Sequence, residues 1–276
     1  MITVKFYGAR GSTPVCEPHF QEFGGNTTCI LIMGEEQAGI LDAGTGIRKL
    51  GKDILASNDP RFKKPIWMLF SHFHWDHIQG FPFFAPAYDS SREFVISAMG
   101  RDRLKKDLRS ILADQQKDLY FPVPLDEMGA NFLYHHPEVE STKVVKTQIT
   151  ASRHPHPGGA WGYRIVGSNG ETLVIVTDVE YGDAVDQDVV ALAKGADLLI
   201  HDAQYTPEEL KTHRGWGHST WEQAVWVAEQ AGAKQLVLTH HDPDHDDAFL
   251  GKLETEVQKR LPSASFAREG MEIEMS

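Results

Sequence analysis

The hydrophobic and polar positions of the chain follow two alternating patterns, and each pattern predicts a different kind of element. Residues Ile2–Tyr7 alternate apolar and polar side chains, as a half-buried strand does. Short apolar runs bounded by turn residues predict further, more deeply buried strands. The predicted strands are Ile2–Tyr7, Cys29–Met33, Ala38–Leu41, Ile66–Phe70, Phe94–Ala98, Val144–Ile149, Gly162–Val166, Leu173–Thr177, Leu198–His201 and Leu236–Thr239.

Apolar side chains that recur at helical spacing predict helices between these strands. The predicted helices are Ile47–Ala56, Arg101–Leu119, Val185–Ala193, Thr220–Ala231 and Asp247–Leu261. Because strands and helices alternate through both halves of the chain, we expect an α/β fold with two central sheets and helices outside them. No linker or solenoid-type repeat interrupts the pattern, so the simplest prediction is one domain over residues 1–276.

The charge of the chain narrows the range of partners. There are 39 acidic and 27 basic residues, which give a formal net charge of −12. Such a protein is a poor general binder of nucleic acid, whose affinity depends on Lys and Arg at phosphates. No stretch has the length and apolar character of a membrane span, and the first residues do not resemble a signal peptide. We therefore expect a cytoplasmic protein without a membrane or nucleic-acid partner.

Four ionisable residues, His72, His74, Asp76 and His77, directly follow the apolar run Ile66–Phe70. Their charged forms would repel one another and would be costly to desolvate, and a divalent cation removes both problems. Imidazole and carboxylate groups are preferred ligands of zinc and related metals. In an extended segment His72, His74 and Asp76 would point to one side and His77 away from it. This arrangement favours two adjacent metal ions over one.

Further candidate ligands follow later strands. His154 and His156 come after the strand that begins at Val144, Asp178 ends the Leu173–Thr177 run, and His240 and His241 follow Leu236–Thr239. The carboxylate of Asp178 has two oxygens and can bridge two cations. The two bound cations would make this site locally positive in an acidic protein, so a small anionic substrate is the expected partner.

In their order along the chain these motifs resemble those of the metallo-β-lactamase superfamily. The segments Gly8–Ser12, Gly24–Thr27, Asp42–Gly46 and His156–Gly159 contribute to the likeness, which covers most of the chain. The ribonuclease Z-like and cyclic-nucleotide phosphodiesterase-like branch is the most similar. This resemblance implies a four-layer αββα sandwich in which two mixed sheets are covered by helices.

The resemblance also implies a dinuclear metal centre. One metal would be held by His72, His74 and His156, the other by Asp76, His77 and His240, with Asp178 as the bridge. His156 is preferred to His154 because it directly precedes Pro-Gly-Gly, and His240 is preferred to His241 because it directly follows the strand. Zinc is the expected metal, and manganese or iron accept the same ligands.

Three residues are predicted to take part in catalysis. Asp76 would bind metal and orient the attacking water. In ribonuclease Z-like enzymes the histidine that matches His218 acts as the general acid, and the acid that matches Asp202 orients it. The alternative for His218 is an exposed loop histidine without a chemical role. A homodimer is the family-based expectation.

The prediction of the substrate rests on a segment that ribonuclease Z has and this chain lacks. Ribonuclease Z carries a tRNA-gripping arm between the residues that match His156 and Asp178, but here these residues are only 22 positions apart. A longer insertion, residues 101–140, is expected to form a helical lid. Its aromatic residues, with Phe81, Phe83, Phe84 and Tyr88, could wall a small pocket, although core packing is favoured for most of them.

The leading hypothesis is a metal-dependent phosphodiesterase that cleaves a small phosphodiester. A cyclic nucleotide is the substrate that the resemblance implies, because related members of this branch without the arm hydrolyse cyclic nucleotides. An endoribonuclease of ribonuclease Z type without the arm is the second hypothesis, and a thioester or lactone hydrolase is the third. The alternative outside enzymes is a metal-bound sensor or binding module, against which the proton donor His218 argues.

Overall fold

The computed structural model describes residues 1–99, 106–135, 141–144, 146–182 and 184–275, and for residues 141–144 it describes the backbone alone. Over these ranges the chain forms fourteen strands and seven α-helices. The strands are β1 (Ile2–Gly8), β2 (Cys29–Met33), β3 (Ala38–Leu41), β4 (Ile66–Leu69), β5 (Glu93–Ser97), β6 (Asn131–His135), β7 (Ser141–Val144), β8 (Thr147–His154), β9 (Ala160–Val166), β10 (Thr172–Val176), β11 (Leu198–Asp202), β12 (Gln235–Thr239), β13 (Ala264–Phe266) and β14 (Glu272–Met275). The helices are α1 (Ile47–Ala56), α2 (Trp75–Ile78), α3 (Leu108–Asp114), α4 (Gln187–Ala193), α5 (Pro207–His213), α6 (Trp221–Ala231) and α7 (Asp247–Arg260).

The strands form two sheets of seven, each of mixed direction. The first has the order β14-β1-β2-β3-β4-β5-β6, antiparallel as far as β3 and parallel from β3 to β6. The second has the order β13-β12-β11-β10-β9-β8-β7, parallel as far as β10 and antiparallel beyond it. Two mixed sheets with helices are what the sequence predicted, and this prediction is confirmed.

Three apolar cores separate four layers. The middle core lies between the sheets and contains Phe6, Leu69 and Ile175. An outer core lies between the first sheet and helices α1 and α3, and another lies between the second sheet and helices α4, α6 and α7. Met68 and its neighbour Leu69 belong to different cores because successive side chains of a strand point to opposite faces. Both sheets are thus buried on both faces.

The insertion predicted as a helical lid differs from that expectation. Its described helix is α3, shorter than the predicted Arg101–Leu119, and its Leu108 and Leu112 are fully buried in the first outer core. Residues 131–135 form β6, which pairs in parallel with β5 and extends the first sheet. The parts of the predicted lid at residues 101–105 and 136–140 lie outside the described residues.

The parallel strands bring their carboxyl ends to the same edge of the molecule. In the first sheet Leu41 of β3 pairs with Leu69 of β4, and in the second Asp202 of β11 pairs with Thr239 of β12. Residues that follow these strands are therefore neighbours although they are far apart in sequence. Among the described helices, none is long and apolar enough to cross a membrane.

Candidate metal centre

Three imidazoles meet at the first candidate site. His72 and His74 lie in the loop after β4, and His156 lies between β8 and β9. His156 Nε2 is 3.0 Å from His74 Nδ1, and the His72 ring lies 4.5 Å from the His74 ring and 4.6 Å from that of His156. One nitrogen of each ring lies within 4.8 Å of the other two, so the three could hold one ion.

A second candidate site is formed by Asp76, His77, Asp178 and His240, all of them buried. His240 Nε2 lies 3.1 Å from Asp76 Oδ2 and 3.3 Å from His77 Nε2. His77 Nε2 in turn lies 3.1 Å from Asp178 Oδ2. Two carboxylates and two imidazoles therefore converge on one point.

Asp178 touches both sites. Its Oδ1 is 3.6 Å from His72 Nε2 and 3.3 Å from His240 Nε2. The side chain is 1% exposed, so its charge is neutralised by protein groups or by bound ions and not by water. This is the position that a bridging carboxylate requires.

Binding to a pair of divalent ions explains the arrangement of these side chains better than hydrogen bonds among the side chains themselves. His72 Nε2 is buried and has no hydrogen-bond partner among the described residues. Ligand atoms around a tetrahedral zinc ion, each about 2.0–2.1 Å from it, lie about 3.3 Å apart. The nitrogen and oxygen atoms that face one another across the second site are separated by 3.1 to 3.4 Å.

The expectation that His72, His74 and Asp76 converge on one side is wrong. The chain is not extended over this stretch, because β4 ends at Leu69 and a helical turn, α2, begins at Trp75. Asp76 and His77 are successive residues of that turn, and both reach the second site. His74 remains extended, with φ −63° and ψ 155°, and joins His72 at the first site.

Hydrogen bonds behind the imidazoles set which nitrogen faces the centre. His77 Nδ1 donates to Asp42 Oδ2 at 2.8 Å, and His240 Nδ1 donates to Gln204 Oε1 at 2.9 Å. His156 Nδ1 donates to the carbonyl of Gly217 at 2.8 Å. In each ring the Nε2 lone pair is left to bind a metal, the usual arrangement of metal-ligating histidines.

Asp42 and Gln204 are functional residues that we did not predict from the sequence. Asp42 directly follows β3 and also accepts hydrogen bonds from the backbone and the hydroxyl of Ser71, at 2.8 and 2.7 Å. Its place in the Asp-Ala-Gly-Thr-Gly motif at a strand end was the available signal. Gln204 carries no comparable signal, because only the fold brings it beside His240.

Neighbouring carboxylates and imidazoles shift one another's pKa values in the candidate metal centre. Burial acts to raise the pKa of Asp178, but His240 and His77 hold that pKa well below its usual range. Burial acts to lower the pKa of His240, yet Asp178 and Asp76 raise it to about 9. Burial and His77 lower the pKa of His72 well below 6.5, so this ring is neutral at pH 7. The carboxylates are thus ionised, as metal ligation requires, and an ion bound at His240 would displace the proton from its Nε2.

Backbone strain coincides with the centre. Asp42, Asp178 and His240 have φ values of 59°, 56° and 65°, in the left-handed region that favours glycine. Asp42 and His240 directly follow β3 and β12, and Asp178 is the second residue after β10. Such a conformation costs about 1–3 kcal/mol per residue, and it persists only where the surrounding structure enforces it.

His218 lies in the centre and not on an exposed loop. It is 7% exposed, and its Nδ1 donates to Asp202 Oδ2 at 2.9 Å. Its ring stacks on that of His240 with centroids 4.7 Å apart, and its Nδ1 lies 4.0 Å from Asp178 Oδ1. Asp202 is itself fixed by the backbone N–H of Ser219 at 2.8 Å.

Three other histidines lie outside both sites. His154 Nε2 bonds to the carbonyl of Thr177, and His241 Nε2 bonds to that of Ala267. Burial lowers the pKa of His154 to about 4 and that of His241 to about 3. His201 bonds to the Tyr181 hydroxyl and to the carbonyl of Asp202. The structure thus groups His156 and His240 with the other candidate ligands, and not His154 or His241.

Known proteins resemble this chain in both sequence and fold. The family described as the beta-lactamase superfamily domain matches residues 40–241. Ribonuclease Z of Brevibacillus brevis is 36% identical over 102 residues, which cover 36% of this chain and 31% of that protein. The chain thus matches about a third of the length of that relative.

Solved structures cover nearly the whole chain at low identity. The metallo-beta-lactamase fold protein YhfI of Bacillus subtilis has a TM-score of 0.71 at 20% identity, over 99% of this chain and 98% of that one. A diphosphatase of the PhnP family has a TM-score of 0.70 at 18% identity, over 100% and 98%. At these identities the likeness concerns the fold alone. Together with the family match, it shows that the chain belongs to the beta-lactamase superfamily.

Proposed function

We propose that this protein is a metal-dependent hydrolase that cleaves a small phosphodiester, with a cyclic nucleotide as the leading candidate. The observation that carries the proposal is the pair of ligand sets that share Asp178, with His218 beside them. His72, His74 and His156 would hold one ion, and Asp76, His77 and His240 the other. Two such ions would activate water and neutralise charge that develops on the phosphate.

The remaining chemistry falls to residues of the chain. His218 Nδ1 is engaged by Asp202, so Nε2 is the atom that can give a proton to the leaving oxygen. Asp202 fixes the ring orientation and stabilises its charged form. Asp76 Oδ2 accepts the backbone N–H of Ser12 at 2.9 Å, which holds this carboxylate in place at the second site.

Two observations favour a small substrate over tRNA. Between His156 and Asp178 the chain forms the β9–β10 hairpin, in which Val166 pairs with Thr172, so the whole segment is used by two strands and a turn. The net charge of −12 opposes wide contact with nucleic acid. The stretch shared with ribonuclease Z keeps endoribonuclease activity as the second candidate.

The first test is turnover of cyclic AMP by the zinc-loaded protein, because its leaving alkoxide needs a proton, whereas a p-nitrophenolate group leaves without one. We expect His218→Ala to lower kcat by about 10²- to 10⁴-fold, the usual contribution of a general acid, while the zinc content stays the same. His19→Ala, which changes an exposed histidine outside both sites, is the matched control. Equal rates for His218→Ala and the unmodified protein would refute the assigned acid.

A substrate panel tests the proposed class. Cyclic nucleotides, a precursor tRNA and an acyl thioester are offered to the same zinc-loaded protein. The proposal predicts that a cyclic nucleotide gives the highest kcat/KM. Preferential cleavage of the precursor tRNA would favour the second candidate, and preferential cleavage of the thioester would exclude phosphodiesters as the main substrates.

A further inference from the structure

A groove of about 490 Å³ is lined in part by the helical turn that carries two candidate metal ligands. One wall comes from α2 and the residues after it, and the other comes from α3 and the residues after it. The walls include Trp75, Ile78 and Phe83 on one side and Ile111, Gln115 and Tyr120 on the other. Its volume falls within the range of pockets that bind small molecules.

The groove and the metal centre share one helical turn. Trp75 stands between the candidate ligands His74 and Asp76. Trp75 and Ile78 are three residues apart and so lie on one face of α2, while Asp76 and His77 reach the second metal site. A molecule whose phosphate lies at the metal centre can therefore extend into the groove past Trp75.

The groove presents exposed aromatic rings. Trp75 is 81% exposed, Tyr120 71% and Phe83 56%. Phe81 and Phe84, in the same segment as Phe83, are instead fully buried in the outer core. Core packing thus accounts for Phe81 and Phe84, whereas the aromatic rings that line the groove remain exposed to solvent. Exposed aromatic faces are the platforms on which nucleobases stack, whatever their sequence.

The wall formed by α3 also offers an unused hydrogen-bond donor. Gln115 Nε2 is buried and has no hydrogen-bond partner among the described residues. Leu108 and Leu112 of α3 are buried in the outer core, while Ile111 and Gln115, which are one helical turn apart, line the groove. A buried donor without a partner is destabilising, and a carbonyl oxygen or ring nitrogen of a base would accept its hydrogen bond.

We propose that this groove binds the nucleobase of a nucleotide phosphodiester, an inference that rests on the proposed function. The base stacks on Trp75 and Tyr120 and accepts a hydrogen bond from Gln115, while its phosphate lies at the metal centre. The groove then selects nucleotides over phosphodiesters that lack a base.

Two esters with the same leaving group isolate this contribution. The zinc-loaded protein is assayed with thymidine 5′-(p-nitrophenyl phosphate) and with methyl p-nitrophenyl phosphate, which lacks the base. We expect kcat/KM to be higher for the thymidine ester by about tenfold or more, in the range of one stacked base, mainly through a lower KM. In Trp75→Ala and in Gln115→Leu this preference should shrink at least about fivefold.

Phe249→Ala removes a partly exposed aromatic side chain that lies on α7 and does not line the groove, so it should keep the full preference. No preference in the unmodified protein, or an equal loss for both esters in the two groove variants, would overturn the base subsite. Because Gln115 is not on the turn that bears metal ligands, its variant separates base binding from damage to the centre.

If neither ester is cleaved, the proposed function fails, but the groove is still tested by binding. Cyclic AMP should quench tryptophan fluorescence of the zinc-loaded protein, and Trp75→Ala should lose most of the quenching while Phe249→Ala keeps it. Ribose cyclic phosphate, which has no base, should not quench the fluorescence of any of these proteins. Equal quenching in Trp75→Ala, or no quenching in any of the proteins, would overturn the subsite.

If the groove is covered by a second copy of the chain, cyclic AMP will not bind and sedimentation will show a dimer, which would also overturn the subsite.

Discussion

At the scale of single residues, the centre depends as much on the groups behind the ligands as on the ligands. His77 faces the second site through Nε2 only because Asp42 accepts the proton on its Nδ1. Asp42 is held in turn by the backbone N–H and the hydroxyl of Ser71. This chain of contacts fixes the tautomer and the ring orientation before any ion binds.

Replacement of Asp42 by asparagine should therefore weaken metal binding. Because Ser71 N–H requires an oxygen at the Oδ1 position, the new amide group would face His77 Nδ1 and push the ring proton to Nε2, toward the metal site. We expect the affinity for one of two zinc ions to fall about 10- to 100-fold. Competition with a chromophoric chelator measures this affinity.

Asp118→Asn, which changes an exposed carboxylate in the segment after α3, is the control. Unchanged affinity and stoichiometry in Asp42→Asn would show that the contact with His77 does not orient the ligand.

At the scale of elements, short loops after the strands carry the centre, and one carboxylate ties two of these loops together. Glu180, two residues after Asp178, accepts the backbone N–H groups of Gly215 and Gly217 at 2.6 and 2.7 Å. The carbonyl of Gly217 holds His156, and His218 is the next residue. Glu180 is thus a positioning residue for His156 at the first site and for His218.

Glu180→Ala should lower activity more than stability. Gly215 is exposed and Gly217 is buried, so water can replace the bond to Gly215, while loss of the bond to Gly217 disturbs the part of the loop that contacts His156. We expect kcat to fall about tenfold with a small change in melting temperature. Rescue of most of the rate by Glu180→Gln, which can still accept one of the two bonds, would distinguish positioning from general damage.

Glu222→Ala changes an acidic residue in the first turn of α6 and serves as the control. If Glu180→Ala keeps the full rate, the loop holds its shape without the carboxylate.

Elements whose hydrophobic pattern is visible within the element itself were predicted well from the sequence. Elements that depend on pairing with a distant segment were not. Helix α1 has the predicted bounds because Ile47, Leu50 and Ile54 mark one buried face. The strand β14 was missed because it is four residues long and pairs only with β1 at the edge of a sheet. The hydrophobic pattern also missed α5, although Thr206 and Glu209 form its capping box.

The same division holds for the candidate site. The ligand types and the strand ends that carry them could be identified from sequence. The placement of Asp76 beside His72 and His74, argued from an extended backbone, was wrong because the helical turn α2 begins at Trp75. The carbonyl of His77 in this turn accepts the backbone N–H of Ala43, a contact between distant segments that local sequence does not reveal. The groups behind the ligands, such as Gln204, meet them only through the fold.

At the scale of the whole molecule, buried neutral histidines make stability depend on pH. In the folded state the pKa of His154 is lowered to about 4 and that of His241 to about 3, in both cases first by burial. The unfolded chain, with a histidine pKa of about 6.5, binds more protons below that pH. Stability is therefore fully present above about pH 6.5 and is lost as the pH falls toward 4 and 3.

We expect urea denaturation of the protein to show a lower free energy of unfolding at pH 5 than at pH 7.5. Each of these two histidines contributes about 2 kcal/mol to this loss. His154→Gln and His241→Gln should each reduce the difference between the two pH values, whereas His19→Gln, at an exposed position, should not. A difference that stays the same in both buried variants would contradict the linkage.

The left-handed conformations of Asp42, Asp178 and His240 have a consequence for how the protein meets its ions. Glycine would adopt this backbone conformation with less strain at each of these positions, but it offers no side chain to bind or orient a metal. The paired strands of two sheets keep these residues in place, so the cavity is shaped in advance and the chain need not rearrange around an arriving ion. Chelation should accordingly leave the secondary structure intact and let activity return as quickly as metal is resupplied.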